Sequence, residues 1–153
     1  MQILEEVASS LKAKRPDLAP DRIDRTIALM VECFPDAMVA GFEDLIPSMR
    51  NQEHDRHVLA AAVRAGAGLI VTNNKSHFQP SACAPYSIEV QSADEFLCDL
   101  WHTDEDKMRL VLMLQASALS RSTATVMQLL KTLRRTAPRF AEMALSSLAD
   151  PAD

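Results

Sequence analysis

The segment from Asp55 to Thr72 constrains the fold more than any other part of the chain. Val58, Leu59, Ala62 and Val63 recur at helical spacing, which predicts a helix over 58–65 with those side chains inward. Gly66 follows as its C-cap. Leu69 to Thr72 is then apolar, β-branched and bounded by turn residues, the pattern of a buried parallel strand. A helix, a glycine and such a strand form half of a βαβ unit, which points to the α/β class.

The flanking segments extend this reading. Ile3 to Lys14 predicts an amphipathic helix with Ile3, Leu4, Val7 and Leu11 on one face, and Arg15-Pro16-Asp17 stops it. Pro20 suits the first turn of a second helix to about Cys33, with Ile23, Ile27, Met30 and Val31 as its buried stripe. Ala37 to Ala40 is expected as a short strand, Phe42 to Ile46 as one helical turn, and 47–53 as a polar loop. After a second polar loop over 73–85, alternation in Ser87 to Gln91 predicts another strand. A short helix over 93–100 follows, with Phe96, Leu97 and Leu100 inward.

From Asp104 onward the pattern is helical only: 108–119 is apolar on more than one face, 123–133 carries Val126, Leu129, Leu130 and Leu133, and 137–148 forms a weaker last helix. Ser120 to Thr123 supplies the break and a cap. A helix apolar over so much of its circumference calls for two packing partners, the α/β core and a second chain.

Composition narrows the function classes. With 153 residues, 48% of them hydrophobic, and a net charge of −5, the chain is sized as one compact domain. Its longest apolar runs fall far short of the roughly 20 residues that span a bilayer, and no basic stretch precedes an apolar one at the N-terminus, so a cytoplasmic protein is expected. Three cysteines, Cys33, Cys83 and Cys98, without CxxC spacing indicate packing residues rather than a disulfide framework or a zinc site. Only Gly41, Gly66 and Gly68 are glycines, which excludes a phosphate loop and a dinucleotide fingerprint. The acidic balance argues against coating nucleic acid by bulk charge and leaves room for an enzyme that uses carboxylates.

Polar residues stand where α/β folds place their sites, at strand ends and helix starts. Asp55 reads both as an N-cap and as a site acid. Thr72-Asn73-Asn74, followed by Lys75, Ser76 and His77, reads as a hydrogen-bonded turn or as a site. On the wheel of the first helix Glu6 lies about 115° from the Val7-centred apolar face, beside Ile3, and can reach the edge of a cleft; Glu5, about 145° away, is solvated. Met108, Met113 and Met127 read as core or interface packing.

Read as one string, DRHVLAAAVRAGAGLIVTNNKSHF from Asp55 to Phe78 resembles the PIN-domain family of metal-dependent ribonucleases, in which an Asp opens a helix, a small-residue turn ends it, and a strand leads to T-x-N/D and a closing Phe. ILEEVASSL is similar to the family's first-helix motif with its glutamate, which maps onto Glu6, and APYSIEVQSADEFL to its last strand and following helix. The resemblance implies a PIN-like α/β/α sandwich with a parallel sheet over 1–103 and a helical C-terminal extension over 104–153. It implies a carboxylate pocket for Mg²⁺ or Mn²⁺ with Glu6 and Asp55 as metal-site acids, Thr72 and Asn74 positioning bound waters, and His77 where relatives often carry an Asp. Such clustered carboxylates suit hard divalent cations that act on a scissile phosphate.

The family begins with a strand ending in an Asp, whereas this sequence starts inside the following helix. The expectation is therefore either a split PIN toxin whose first strand and Asp come from a separate chain by strand addition, or a truncated form that dimerises through its exposed edges and is inert. The implied function is a metal-dependent endoribonuclease, the toxin of a toxin–antitoxin pair, with RNA as substrate, an antitoxin protein as partner and a homo- or hetero-oligomeric state. The alternative is a non-catalytic PIN-like subunit or binding module that acts through a partner protein. Lys131, Arg134, Arg135 and Arg139 are candidates to meet RNA phosphates or acidic antitoxin groups, or form a solvated helix face.

Overall fold

The computed structural model describes residues 2–119 and 125–149. Their order is α1 (Gln2–Lys14), α2 (Pro20–Cys33), α3 (Arg56–Ala65), β1 (Leu69–Val71), α4 (Pro80–Cys83), β2 (Glu89–Gln91), α5 (Ala93–Thr103), α6 (Glu105–Ala118), α7 (Val126–Leu133) and α8 (Pro138–Ala149). The described residues are mostly helical, and β1 and β2 pair in a two-stranded sheet. The Glu89 N–H donates to the Gly68 carbonyl at 2.9 Å and the Thr72 N–H to the Gln91 carbonyl at 2.8 Å, so the strands advance together and the pairing is parallel. The break and cap expected at Ser120 to Thr123 lie outside the described residues. No helix among the described residues is long and apolar enough to cross a membrane.

The chain packs as two units, Met1–Gly68 with His77–Glu89, and Leu69–Ser76 with Val90–Asp153. In the first, α3 buries His57, Leu59, Ala60 and Ala61, while Val58, Ala62 and Val63 are half-buried. Its stripe is thus turned toward the alanines, whose small side chains let neighbouring backbone approach. Phe42, Met49, Phe78, Cys83 and Ile88 are further buried apolar residues of this unit. Gly66 closes α3 at φ 65°, its N–H donating to Ala62 and Val63 carbonyls, as a left-handed cap does.

Several expectations for this unit are corrected. No residue of α1 is buried, and Val7 and Leu11 are exposed. In α2 only Ile23 is buried; Ile27 and Val31 are half-buried and Met30 is exposed. The strand expected at Ala37 to Ala40 is absent: Pro35–Ala37 forms a 3-10 turn, and the Met38 N–H is committed to the Pro35 carbonyl instead of a ladder. The helical turn expected at Phe42 is a 3-10 helix over Glu43–Ser48. The loop after β1 is not wholly polar, since Pro80 starts α4 and Phe78, Ala82 and Cys83 are buried. Cys33 is exposed rather than packed.

The second unit has a core of Cys98, Trp101, Leu112, Ala116, Leu129, Leu130, Ala137, Phe140 and Ala144, with Trp101 and Phe140 edge-to-face at 5.9 Å. Because Cys98 and Trp101 of α5 share this core with α6, α7 and α8, no packing boundary falls at 103/104. The inward side of α5 is Asp94, Cys98 and Trp101; Phe96 and Leu97 are half-buried and Leu100 is exposed. The last helix is not the weak one, as Phe140, Ala141 and Ala144 are buried almost completely. In α6 Leu112 and Ala116 face the core, whereas Leu110, Val111, Met113 and Leu114 are exposed. Met113 and Met127 are likewise exposed, and Met108 packs against the core. In β1 only Ile70 is buried and Val71 is exposed, so the strand is not covered on both faces.

Candidate functional site

The start of α3 gathers the polar groups of the first unit. Asp55 precedes the helix, yet its carboxylate makes no cap hydrogen bond. It turns instead to His77, whose Nδ1 lies 2.6 Å from Asp55 Oδ2. The pair is fixed from the backbone: the Gln52 N–H donates to the His77 carbonyl at 3.0 Å, and Asn51 Nδ2 donates to the Asp55 carbonyl at 2.9 Å. When Asp55 is ionised it can only accept, so the hydrogen between them is assigned to Nδ1, and Nε2 is then the acceptor of the neutral ring.

Two residues further on, His57 is buried in the first turn of α3, with Nε2 3.0 Å from Glu6 Oε2. The contact lacks the alignment of a hydrogen bond, and Nε2 is left without a hydrogen-bond partner. Glu6 also accepts from Gln2 Nε2 at 3.3 Å, while Glu5 is exposed. Through His57 the structure therefore brings Glu6 to the same helix end as Asp55. Asn51 is buried with its Oδ1 unpartnered, and Arg56 Nε is also buried without a partner. Buried polar atoms of this kind are rare in native folds, and three of them collect within seven residues of sequence here.

Thr72 and Asn74 stand in the second unit, after β1. The Thr72 hydroxyl accepts from the Asn74 N–H at 3.1 Å, the turn-closing role of a threonine at a strand end. Lys75 then binds both oxygens of Glu95, at 3.0 and 2.8 Å. This bond, with those from the Ser92 N–H and hydroxyl, holds the Glu95 carboxyl at about 2. The four basic residues of the tail do not act alike: Arg134 is bound to Glu142 at 2.9 Å, Lys131 and Arg135 are exposed, and Arg139 lines a cavity with α5.

His57 and Asn51 escaped the sequence reading. The signal for His57 was its place three and four residues before Ala60 and Ala61, which puts it on the side that small residues leave open. As to a metal, Glu6 and Asp55 are hard oxygen donors of the kind Mg²⁺ takes when waters and substrate phosphates fill its other positions. Among the described residues no three His, Cys, Asp or Glu side chains converge on one point, so a closed, all-protein metal centre is not formed there.

Residues 93–146 match the family described as the VapC50 C-terminal domain. Over 108 residues the chain is 40% identical to the protein named "Putative ribonuclease VapC50" of Mycobacterium tuberculosis (strain ATCC 25618 / H37Rv), covering 71% of this chain and 64% of that relative. The chain thus spans a little under two thirds of the relative's length. No solved structure matches.

Proposed function

From the premise that the chain belongs to the VapC-type PIN family, we propose that it is an RNA-cleaving toxin whose reacting groups lie at the start of α3. The observation that carries this reading is that two pairs, Asp55 with His77 and Glu6 with His57, stand at the start of one helix. Asp55 orients the His77 ring, and His77 Nε2 takes or returns a proton at the attacking or leaving oxygen of a phosphodiester. His57, buried behind Glu6, holds that carboxylate toward the site. Glu6 and Asp55 would hold Mg²⁺ or Mn²⁺, which supplies stabilisation of the charge that develops on the phosphate. Thr72 closes its own turn in the second unit, where Asn74 presents an amide.

The partners in this proposal are RNA and an antitoxin protein, with a strand-adding chain at the edge of β1 that β2 does not occupy. The test is cleavage of a labelled RNA by the wild-type protein and by Asp55→Asn, Glu6→Gln and His77→Gln, with and without Mg²⁺. Positioned acid–base groups contribute about 10²–10⁴-fold, so each variant is expected to lose at least about a hundredfold while its unfolding midpoint stays in place. Cleavage indifferent to all three substitutions would overturn this site, and absence of cleavage by the wild-type protein would uphold a binding module that acts through a partner.

A further inference from the structure

The second unit contains a cavity of about 210 Å³ that the proposed chemistry does not use. Lys75 reaches it from beyond β1, Gln91 from the end of β2, Glu95, Asp99 and His102 from α5, and Arg139 from α8. It therefore opens at the carboxyl ends of the parallel strands, where sheets of this type receive ligands. Pockets for drug-sized ligands run from roughly 300 Å³ upward, so this one has room for a fragment such as one planar base and not for a whole nucleotide.

Its chemistry selects among fragments. The cations Lys75 and Arg139 are matched by the carboxylates Glu95 and Asp99, and Lys75 is already bound to Glu95. The lining thus carries no net charge that would favour an anion. Gln91 Nε2 donates to Asp99 Oδ2 at 2.9 Å, while Gln91 Oε1 is buried without a donor. An orphaned acceptor is the exception in a native fold and is resolved by a group that brings a hydrogen. Asp99, which can only accept when ionised, keeps its other oxygen beside that glutamine. The fitting occupant is neutral, planar and supplies two adjacent N–H donors.

We propose that this cavity is a subsite for a single unstacked RNA base, guanine in the first place, with Arg139 toward the neighbouring phosphate. Guanine presents its ring N–H and exocyclic amino group side by side on one edge, whereas adenine and cytosine offer one amino group there and uracil one ring N–H. Recognition of splayed bases by their edges is how proteins read single-stranded RNA. The identity of the ligand as RNA rests on the function proposed above; the cavity and its acceptors do not.

The test is titration of the full chain with guanosine 5′-monophosphate and with uridine 5′-monophosphate, followed by ¹H–¹⁵N NMR. The guanine nucleotide is expected to shift the Gln91 side-chain amide and the Asp99 and His102 backbone amides, and to bind at least tenfold more tightly than the uridine nucleotide. Gln91→Leu and the exposed Asp99→Asn should each weaken it at least fivefold, and Arg25→Met on the exposed side of α2 should not. Absence of those shifts, equal affinity for both nucleotides, or indifference to both variants overturns the subsite. If guanine binds as stated and the protein cuts no RNA, the ribonuclease reading fails and the subsite stands. Cleavage abolished by Asp55→Asn in a protein with no guanine shifts upholds the ribonuclease reading and overturns the subsite.

Discussion

A carboxylate or hydroxyl at the start of a helix can be satisfied by the N–H groups of the first turn or by another side chain. Ser92 and Thr125 take the first course, each in a reciprocal capping box with Glu95 and Gln128. Asp55 takes the second, through its contact with His77. Glu95 binds both the Ser92 cap and Lys75, and its depressed carboxyl follows from both. The depressed value means that the stabilisation is present above the ordinary carboxylate range and is lost as pH falls through about 2. Lys75→Met is expected to move the Glu95 titration from about 2 back toward 4.5, read by NMR of the side-chain carboxyl. A titration that stays near its wild-type position would assign the shift to the cap alone.

At the scale of elements, α5 and α8 are joined by a group that patterning does not display. Asp94 is buried, and its Oδ1 accepts the Phe140 N–H at 2.9 Å, satisfying one of the donors that every helix start leaves open. Asp94→Ala removes a charged acceptor and strands that N–H, which should cost about 1–3 kcal/mol by chemical denaturation. Arg109 adds a second tie to α8, bonding the Ser147 carbonyl at 3.0 Å as well as its hydroxyl. The core itself is tested by Leu130, which has no exposed surface. Leu130→Ala is expected to cost about 2–5 kcal/mol, whereas Leu114→Ala on the exposed side of α6 should stay within about 0.5 kcal/mol. Equal losses at the two positions would mean that the face of α6 is covered in solution.

For the molecule as a whole, a net charge of −5 limits how RNA can be held. Arg134 is bound to Glu142 and Lys75 to Glu95, so local cations are largely answered by carboxylates. Four phosphate contacts by the tail residues would give a salt slope of about −3 for single-stranded RNA. The expected slope of log affinity against log salt is shallower than that, measured by fluorescence anisotropy between low and moderate salt. A steeper slope would restore the tail residues as one basic surface. The division into two units also belongs to this scale: the match to the VapC50 C-terminal domain begins at Ala93, the first residue of α5, and β1 packs with that half.

By itself the sequence determined the local features: the helix ends at Arg15 and Gly66, the parallel strand after Gly68, the acid at Asp55, and the glutamate on the edge of the first helix. These are legible because capping, glycine conformation and side-chain periodicity act over a few residues. Only the tertiary structure decided which side of α3 is buried, that Pro35–Ala37 turns instead of pairing, and that α8 buries Phe140, Ala141 and Ala144 almost completely. It alone set His57 against Glu6 and His77 against Asp55, partners 51 and 22 residues apart. Such contacts depend on how separate elements pack, and no periodicity within one element encodes them.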